Sequence, residues 1–319
     1  MNRTAVRLGV LLLAGAAVAA VLLALLVPFS SSDSDISVGG QAVQVEQRSE
    51  RDLVLTVTSA ALGRKGMVRV LLPEGWRPGS GPWPVLYLLN ACCQPDYDAW
   101  AIRGEAAGLT SRYPVIVVMP EGGEVGFYSD WREGPDWETF HLSEVRRILE
   151  RDYGAGDRRA VAGPSMGGFG AMSYAARHPG MFQAAASFSG VLHTRDGNGG
   201  VDWLLNRSGE DAGKLWGDPR SPEWAAHNPA DLTGRLRGVR LFVSCGDGSP
   251  GPLDSSGTAM DEGEASLLHQ AVTFVERARR DGAEVAVDFY GPGTHSWPYW
   301  QRGLERALPM LMDSIGVTT

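Results

Sequence analysis

The sequence predicts an α/β fold, a mostly parallel central sheet with helices on both faces. Three observations predict it. Residues 84–89 and 114–119 are continuous apolar runs of strand length, as strands buried on both faces require. From residue 52 onward such runs alternate with stretches of helical apolar spacing, the pattern of successive βα units. A Gly-x-Ser-x-Gly pentapeptide, Gly163-Pro164-Ser165-Met166-Gly167, joins a strand-like segment to a helix-like one rich in small residues.

Each element follows in order. Arg3 and Arg7 precede an uncharged run over residues 8–27, about 30 Å long as a helix. Positive charge before such a run keeps its start inside the cell. Residues 1–29 are therefore expected to be a signal or membrane anchor. The remainder would be tethered to the cell membrane facing outside, or secreted after cleavage. Residues 30–49, polar at least as far as Gly40, are expected to be a flexible linker, and residues 50–319 a catalytic domain. Residues 53–59 and 67–73 predict an antiparallel pair. Helices are expected over 102–109 and 138–151, flanking the second apolar run. The pentapeptide's helix ends at His178-Pro179-Gly180. Further strands are expected at 182–188, 239–244 and 284–290, and helices at 265–280 and 299–315. The irregular stretch 191–236 is expected to cover the site.

Composition narrows the function. The chain has 319 residues, 44% of them apolar, which is enough for a sizeable core. A net charge of −8 without any basic run excludes nucleic acid as a partner. Several of the ten tryptophans stand beside polar motifs, which suggests a lined cleft. The cysteines are Cys92, Cys93 and Cys245, an odd number that makes no complete disulfide framework. Adjacent Cys92 and Cys93 could bridge only in a strained vicinal geometry. No cysteine sits beside a histidine in sequence, so the three are read as buried or loop cysteines rather than nucleophiles. No metal or cofactor is implied.

The chemistry centres on Ser165. A sharp strand-to-helix turn would lift its hydroxyl above the sheet. The hydroxyl still needs a base. His295 lies in the loop Gly291-Pro-Gly-Thr-His-Ser-Trp297 after the last expected strand, at the same sheet edge. His178 and His193 read as structural. Two acids compete to orient the base: Asp247, just after a strand, and Glu264, at the start of the next helix. The residues leave this choice open. The Met166 amide at a helix N-terminus is one candidate oxyanion donor. The other should come from the loop that begins at Asn90. Phe127-Tyr-Ser-Asp-Trp131 is a further aromatic, polar motif.

Together with Asp96-Tyr97, Trp100, Trp137-Glu-Thr-Phe140, Trp216-Gly217, Asn228-Pro229 and Tyr299-Trp300, these motifs run in a familiar order. The chain resembles the antigen 85 mycolyltransferases within the esterase D-like α/β-hydrolases. The resemblance implies an α/β-hydrolase fold and an acyl-enzyme on Ser165, with His295 as base and Glu264 as acid. Asp247 stays an alternative, standing where the family has asparagine. It also implies oxyanion amides at Cys92 and Met166, and substrate contacts at Asn90, Asp130, Trp131, Ser296 and Trp297. An acyl ester or glycolipid would be the substrate. The family's Leu-Leu-Asp-Gly-Leu-Arg reads here Leu88-Leu-Asn-Ala-Cys-Cys93, which removes an acid and an arginine from the sugar-acceptor site. Strict use of trehalose is therefore not expected. A plain carboxylesterase, as in the S-formylglutathione hydrolase group, and a non-catalytic wall-binding protein are the alternatives.

Overall fold

Alternation of side chains decides which strands reach the middle of the sheet. In β5 (Trp83–Leu88) Val85 and Tyr87 face one core while Leu86 and Leu88 face the other. In β6 (Ile116–Pro120) Ile116 and Val118 oppose Val117 and Met119 in the same way. A strand apolar on both faces must be covered on both, and helices supply the cover. The computed structural model describes residues 34–38, 41–93, 97–196 and 200–318.

The sheet has ten strands in the order β1-β2-β3-β4-β6-β5-β7-β8-β9-β10. β1 (Ser34–Val38), β2 (Gln41–Ser49), β3 (Asp52–Ser59) and β4 (Arg64–Leu71) form an antiparallel meander, and β4 meets β6 antiparallel. From β6 to β10 every pairing is parallel, through β5, β7 (Ala155–Pro164), β8 (Ala184–Phe188), β9 (Arg240–Cys245) and β10 (Glu284–Phe289). One face carries α3 (Trp137–Thr139), α4 (Arg146–Tyr153), α5 (Met166–Arg177) and α9 (Glu262–Arg280). The other carries α1 (Ala99–Ile102), α2 (Ala106–Thr110) and α10 (Trp297–Ser314).

Three expectations need correction. Residues 30–49 are not a linker throughout, since β1 and β2 lie within them and the compact unit begins at Ser34. The cause is visible in hindsight: Val43 is buried and Val45 packs beside it on the same core, the period-two signature of a half-buried strand. The expected helix over 102–109 is two helices. Gly104 separates them because a side chain there would overlap the Trp100 ring, and Glu105 follows in a left-handed conformation, φ 52°. The helix over 138–151 is interrupted by a π-helical stretch, Phe140–Val145. That stretch turns His141 inward, where its ring nitrogens lie 2.8 Å from the Tyr174 hydroxyl and 2.8 Å from the Glu121 carbonyl oxygen. Burial lowers His141 to a pKa of about 4, so the ring is neutral at ordinary pH.

Between β8 and β9 the chain makes α6 (Val201–Arg207), α7 (Ala212–Trp216) and α8 (Pro222–His227) with two short 3₁₀ turns. Trp216 and Trp224 anchor this excursion, their rings packed edge to face at 5.0 Å. The signal or anchor expected at residues 1–29 lies outside the described residues. Among the described residues no helix is long and apolar enough to cross a membrane.

Candidate active site

Ser165 follows directly on β7 and precedes the first residue of α5. Its backbone is at φ 53°, ψ −118°, a conformation that an L side chain holds only when its surroundings impose it. The surroundings are tight. A Cβ on Gly163 would come within 2.5 Å of the Gly167 backbone, and one on Gly167 within 2.6 Å of the Leu89 carbonyl oxygen. Both glycines of the pentapeptide are there because backbone passes backbone. The Met166 amide is the first of α5 and has no acceptor among the described residues.

His295 comes from the same edge of the parallel strands, in the loop after β10. Two carboxylates hold it. Its backbone N–H donates to Asp261 Oδ2 at 2.9 Å, and its Nδ1 lies 2.8 Å from Glu264 Oε2. Asp261 also caps α9, accepting from the Glu264 N–H at 3.0 Å, so one side chain orients both the helix start and the histidine loop. Glu264 is fully buried. Its Oε1 accepts from Ser189 Oγ at 2.7 Å and from the Gly246 N–H at 2.8 Å. A buried carboxylate bonded at both oxygens can fix the imidazole with Nδ1 protonated, leaving Nε2 to accept a proton. Cys245 Sγ lies 3.3 Å from the same carboxylate, and burial, then the Glu264 charge, push its thiol well up.

Asp247 makes no contact with the histidine ring. Its Oδ1 accepts from the N–H and hydroxyl of Ser249. Of the two acids left open by the sequence, the structure brings Glu264 to His295 and closes a local turn with Asp247.

The loop after β5 forms the other wall. Three bonds root it: Trp100 Nε1–H to the Leu89 carbonyl at 2.7 Å, Tyr128 O–H to the Asn90 carbonyl at 2.8 Å, and Asn90 Nδ2–H to the Pro120 carbonyl at 2.9 Å. Beyond this root Cys92 and Cys93 are bonded to each other, the vicinal pairing that the sequence left open. The Cys92 N–H has no acceptor among the described residues, whereas the Cys93 N–H donates to the Glu124 carbonyl at 2.6 Å.

Two cavities meet at these residues. The larger, about 690 Å³, is lined by Ser165, His295, Cys92 and Cys93, by Val191, Trp203 and Leu204 of the excursion, and by Leu267 and Gln270 of α9. It is mostly apolar, and Trp203 stands 55% exposed at it with the Arg207 guanidinium 5.5 Å from its ring centre. The stretch 191–236 thus supplies one side of the cleft, as its position after β8 suggests. The smaller cavity, about 340 Å³, is lined by Asn90, Ser296, Trp297 and Trp300 and shares Cys92, Cys93 and His295 with the first. Asn90 is buried, and its Oδ1 has no hydrogen-bond partner among the described residues.

Asp130 and Trp131, expected to touch substrate, are not brought to either cavity. Asp130 accepts from the N–H and hydroxyl of Thr139 at 2.9 and 2.7 Å. Trp131 Nε1–H donates to the Gly126 carbonyl, and its ring lines a separate groove with Arg64 and Trp137. The motif matters through its neighbour: Tyr128 roots the loop after β5. His178 lies 2.6 Å from Glu138, and His193 lies 3.3 Å from Arg277; neither lines the two cavities. Sequence reasoning missed Trp203, Leu204, Leu267 and Gln270, because a short excursion and the partly buried side of a helix carry no chemical signature. It could have found Asp261, whose place three residues before Glu264 is an N-cap pattern.

The geometry has relatives. Residues 59–311 match the Esterase family model. The chain is 32% identical over 283 residues to the diacylglycerol acyltransferase/mycolyltransferase Ag85A of Mycobacterium gordonae, covering 83% of this chain and 81% of that protein. It is 31% identical over 303 residues to the diacylglycerol acyltransferase/mycolyltransferase Ag85B of Mycobacterium leprae, covering 88% and 90%. Among solved structures, MPT51 (FbpC1) of Mycobacterium tuberculosis superposes with a TM-score of 0.71 at 28% identity, covering 82% of this chain and 97% of that one. An S-formylglutathione hydrolase from Agrobacterium tumefaciens shares the fold, with a TM-score of 0.67 at 18% identity over 89% and 99% of the two chains. The matched span runs through the elbow, the acid and the histidine loop alike, and the chain belongs to the Esterase family.

Proposed function

We propose that this acyl-transferring serine hydrolase works through an acyl-enzyme on Ser165, with His295 as base and Glu264 as its partner. The observation that carries the reading is the bond from a fully buried Glu264 to His295, with His295 and Ser165 lining one cavity. Ser165 Oγ attacks the ester carbonyl carbon while His295 Nε2 takes the hydroxyl proton. The carbonyl oxygen becomes an oxyanion between the Cys92 and Met166 N–H groups, neither of which has another acceptor among the described residues. Collapse breaks the C–O bond, and His295 returns its proton to the departing alcohol. A second hydroxyl compound, or water, then gives its proton to His295 and attacks the acyl-serine. Ser165 leaves with that proton restored.

The two cavities suggest where the parts go. The larger one offers Val191, Leu204 and Leu267 to an acyl chain. The smaller one offers an unpartnered buried oxygen on Asn90 and the Trp297 and Trp300 rings to a hydroxylic acceptor. Relatives named as diacylglycerol acyltransferases and mycolyltransferases support a lipid-ester donor. Incubating purified protein with acyl-ester donors, with and without sugar acceptors, and weighing the products tests the assignment. No acyl product and no covalent labelling by a fluorophosphonate would end it.

Trehalose should not be the strict acceptor. Relative to the antigen 85 pattern, Asn90 and Cys93 replace an acid and an arginine. Two lost charge-assisted hydrogen bonds weaken acceptor binding by about 1.5–3 kcal/mol each, or roughly tenfold to hundredfold per contact. Partition of one donor's acyl group among trehalose, other sugars, glycerol and water measures this. A saturable preference for trehalose over the rest would refute it.

The run of residues 8–27 behind Arg3 and Arg7 supports export, either tethered or cleaved. Sequencing the N-terminus of the mature protein from cell fractions distinguishes the two, and an intact protein confined to the cytosol would contradict both.

A further inference from the structure

Cys92 and Cys93 are the two residues shared, with His295, by both cavities of the site. Their bond closes a small ring through the intervening peptide, so neither residue can turn its backbone freely. Cys93 is held at φ 76°, where an L side chain rarely sits unaided. Every other bond that roots this loop acts earlier, at Leu89 and Asn90. Past Asn90, the disulfide and the Cys93 N–H bond to Glu124 are the bonds that the described residues make to Cys92 and Cys93, and Cys92 also packs against the core.

We propose that the Cys92–Cys93 disulfide is the positioning element of the oxyanion loop, and that its reduction by thiols turns acyl transfer down reversibly. The inference rests on the acyl-enzyme reading above, in which the Cys92 amide is a donor. With the ring closed, that amide is held facing the cavity of Ser165. The Cys92 N–H belongs to the preceding peptide, outside the ring, but the ring ties the Cys92 Cα to Cys93, whose own N–H is bonded to Glu124. Opening the ring frees that Cα, and the peptide that enters it, from this anchor. The donor is then present but no longer aimed.

The geometry also makes the bond accessible. Cys93 is exposed, while Cys92 is half-buried against the core. A thiolate from a small thiol attacks the Cys93 sulfur, the S–S bond breaks, and Cys92 leaves as a thiolate that takes up a proton. A second thiol then attacks the mixed disulfide on Cys93. It releases the oxidised reductant and leaves Cys93 as a thiol. Two thiols are oxidised to one external disulfide, and one protein disulfide becomes two thiols. Cys245, buried against Glu264, takes no part.

The test uses the full chain. Alkylation with iodoacetamide under native conditions, read by mass, should label neither Cys92 nor Cys93 before treatment with dithiothreitol, and both after it. In the reduced enzyme kcat for a short-chain ester should fall by roughly 10²-fold, the scale of one lost oxyanion donor. KM should change by no more than about threefold, and the reduced enzyme should keep the thermal midpoint of the oxidised one, which loss of fold would not allow. Oxidised glutathione should restore kcat. The double substitution Cys92→Ser/Cys93→Ser should have the low kcat with or without reductant, at a thermal midpoint near that of the wild type. Full activity after verified reduction, or wild-type kcat in the double variant, overturns the proposal. So does an active native enzyme whose Cys92 and Cys93 are already free thiols. If Ser165→Ala abolishes turnover while reduction leaves it unchanged, only this inference fails; if Ser165→Ala leaves turnover intact, the acyl-enzyme reading fails first.

Discussion

Ser165→Ala is expected to lower kcat for a short-chain p-nitrophenyl ester by on the order of 10⁴-fold or more, with the fold intact. On the proposed mechanism, removing the hydroxyl removes the atom that carries the acyl group. What stays behind is the cavity and its amides, which bind and polarise an ester but cannot split its hydrolysis into two steps. Stability should hardly suffer. Alanine removes only an oxygen from a residue whose φ of 53° is imposed by the close approach of Gly163 and Gly167, and that packing is untouched. A stopped assay with long incubation, beside a thermal melt, reads both quantities. Activity within tenfold of wild type would remove Ser165 from the mechanism.

The second large effect separates the two acids. Glu264→Gln should cost roughly 10³-fold or more in kcat, whereas Asp247→Asn should cost less than about tenfold. The argument is one of donors and acceptors. Ser189 Oγ and the Gly246 N–H donate to Oε1, so a glutamine would place its carbonyl oxygen there. Its amide nitrogen would then face His295 Nδ1, two donors in opposition. The imidazole can relieve this only by moving its proton to Nε2, the nitrogen that must accept from Ser165. Asp247 meets only the N–H and hydroxyl of Ser249, and an asparagine oxygen can accept from both. Both variants should melt close to wild type and be compared at saturating donor. The reverse order of kcat would return Asp247 to the mechanism.

The central sheet was legible because its signal is local. A strand buried on both faces is written in consecutive apolar residues, and β5 and β6 are such strands. The meander was legible only in part. β2 carries its alternation through Val43 and Val45, but polar neighbours and a serine-rich approach masked it, and the pairing partner β3 settled its state. The break between α1 and α2 was not legible, since nothing but the Trp100 ring across the turn makes Gly104 a boundary.

Within the site the sequence by itself determined which residue types were available and roughly where: a serine on a strand-to-helix turn, a histidine after the last strand, two acids, and an oxyanion loop after β5. Those are properties of short segments, where turn geometry follows from the residues present. The tertiary structure decided which of them meet. It joined Glu264 rather than Asp247 to His295 and turned Asp130 and Trp131 away from the cleft. It made Tyr128 a root of the loop after β5, closed Cys92 on Cys93, and drew Trp203 and Leu267 to the larger cavity. The reason is that both acids are tens of residues from His295 in the chain, and their spacing does not say which one reaches it. The choice between them depends on where α9 packs on the sheet and on how Asp261 ties its first turn to the histidine loop. That is a sum of long-range contacts, which no stretch of the chain records alone.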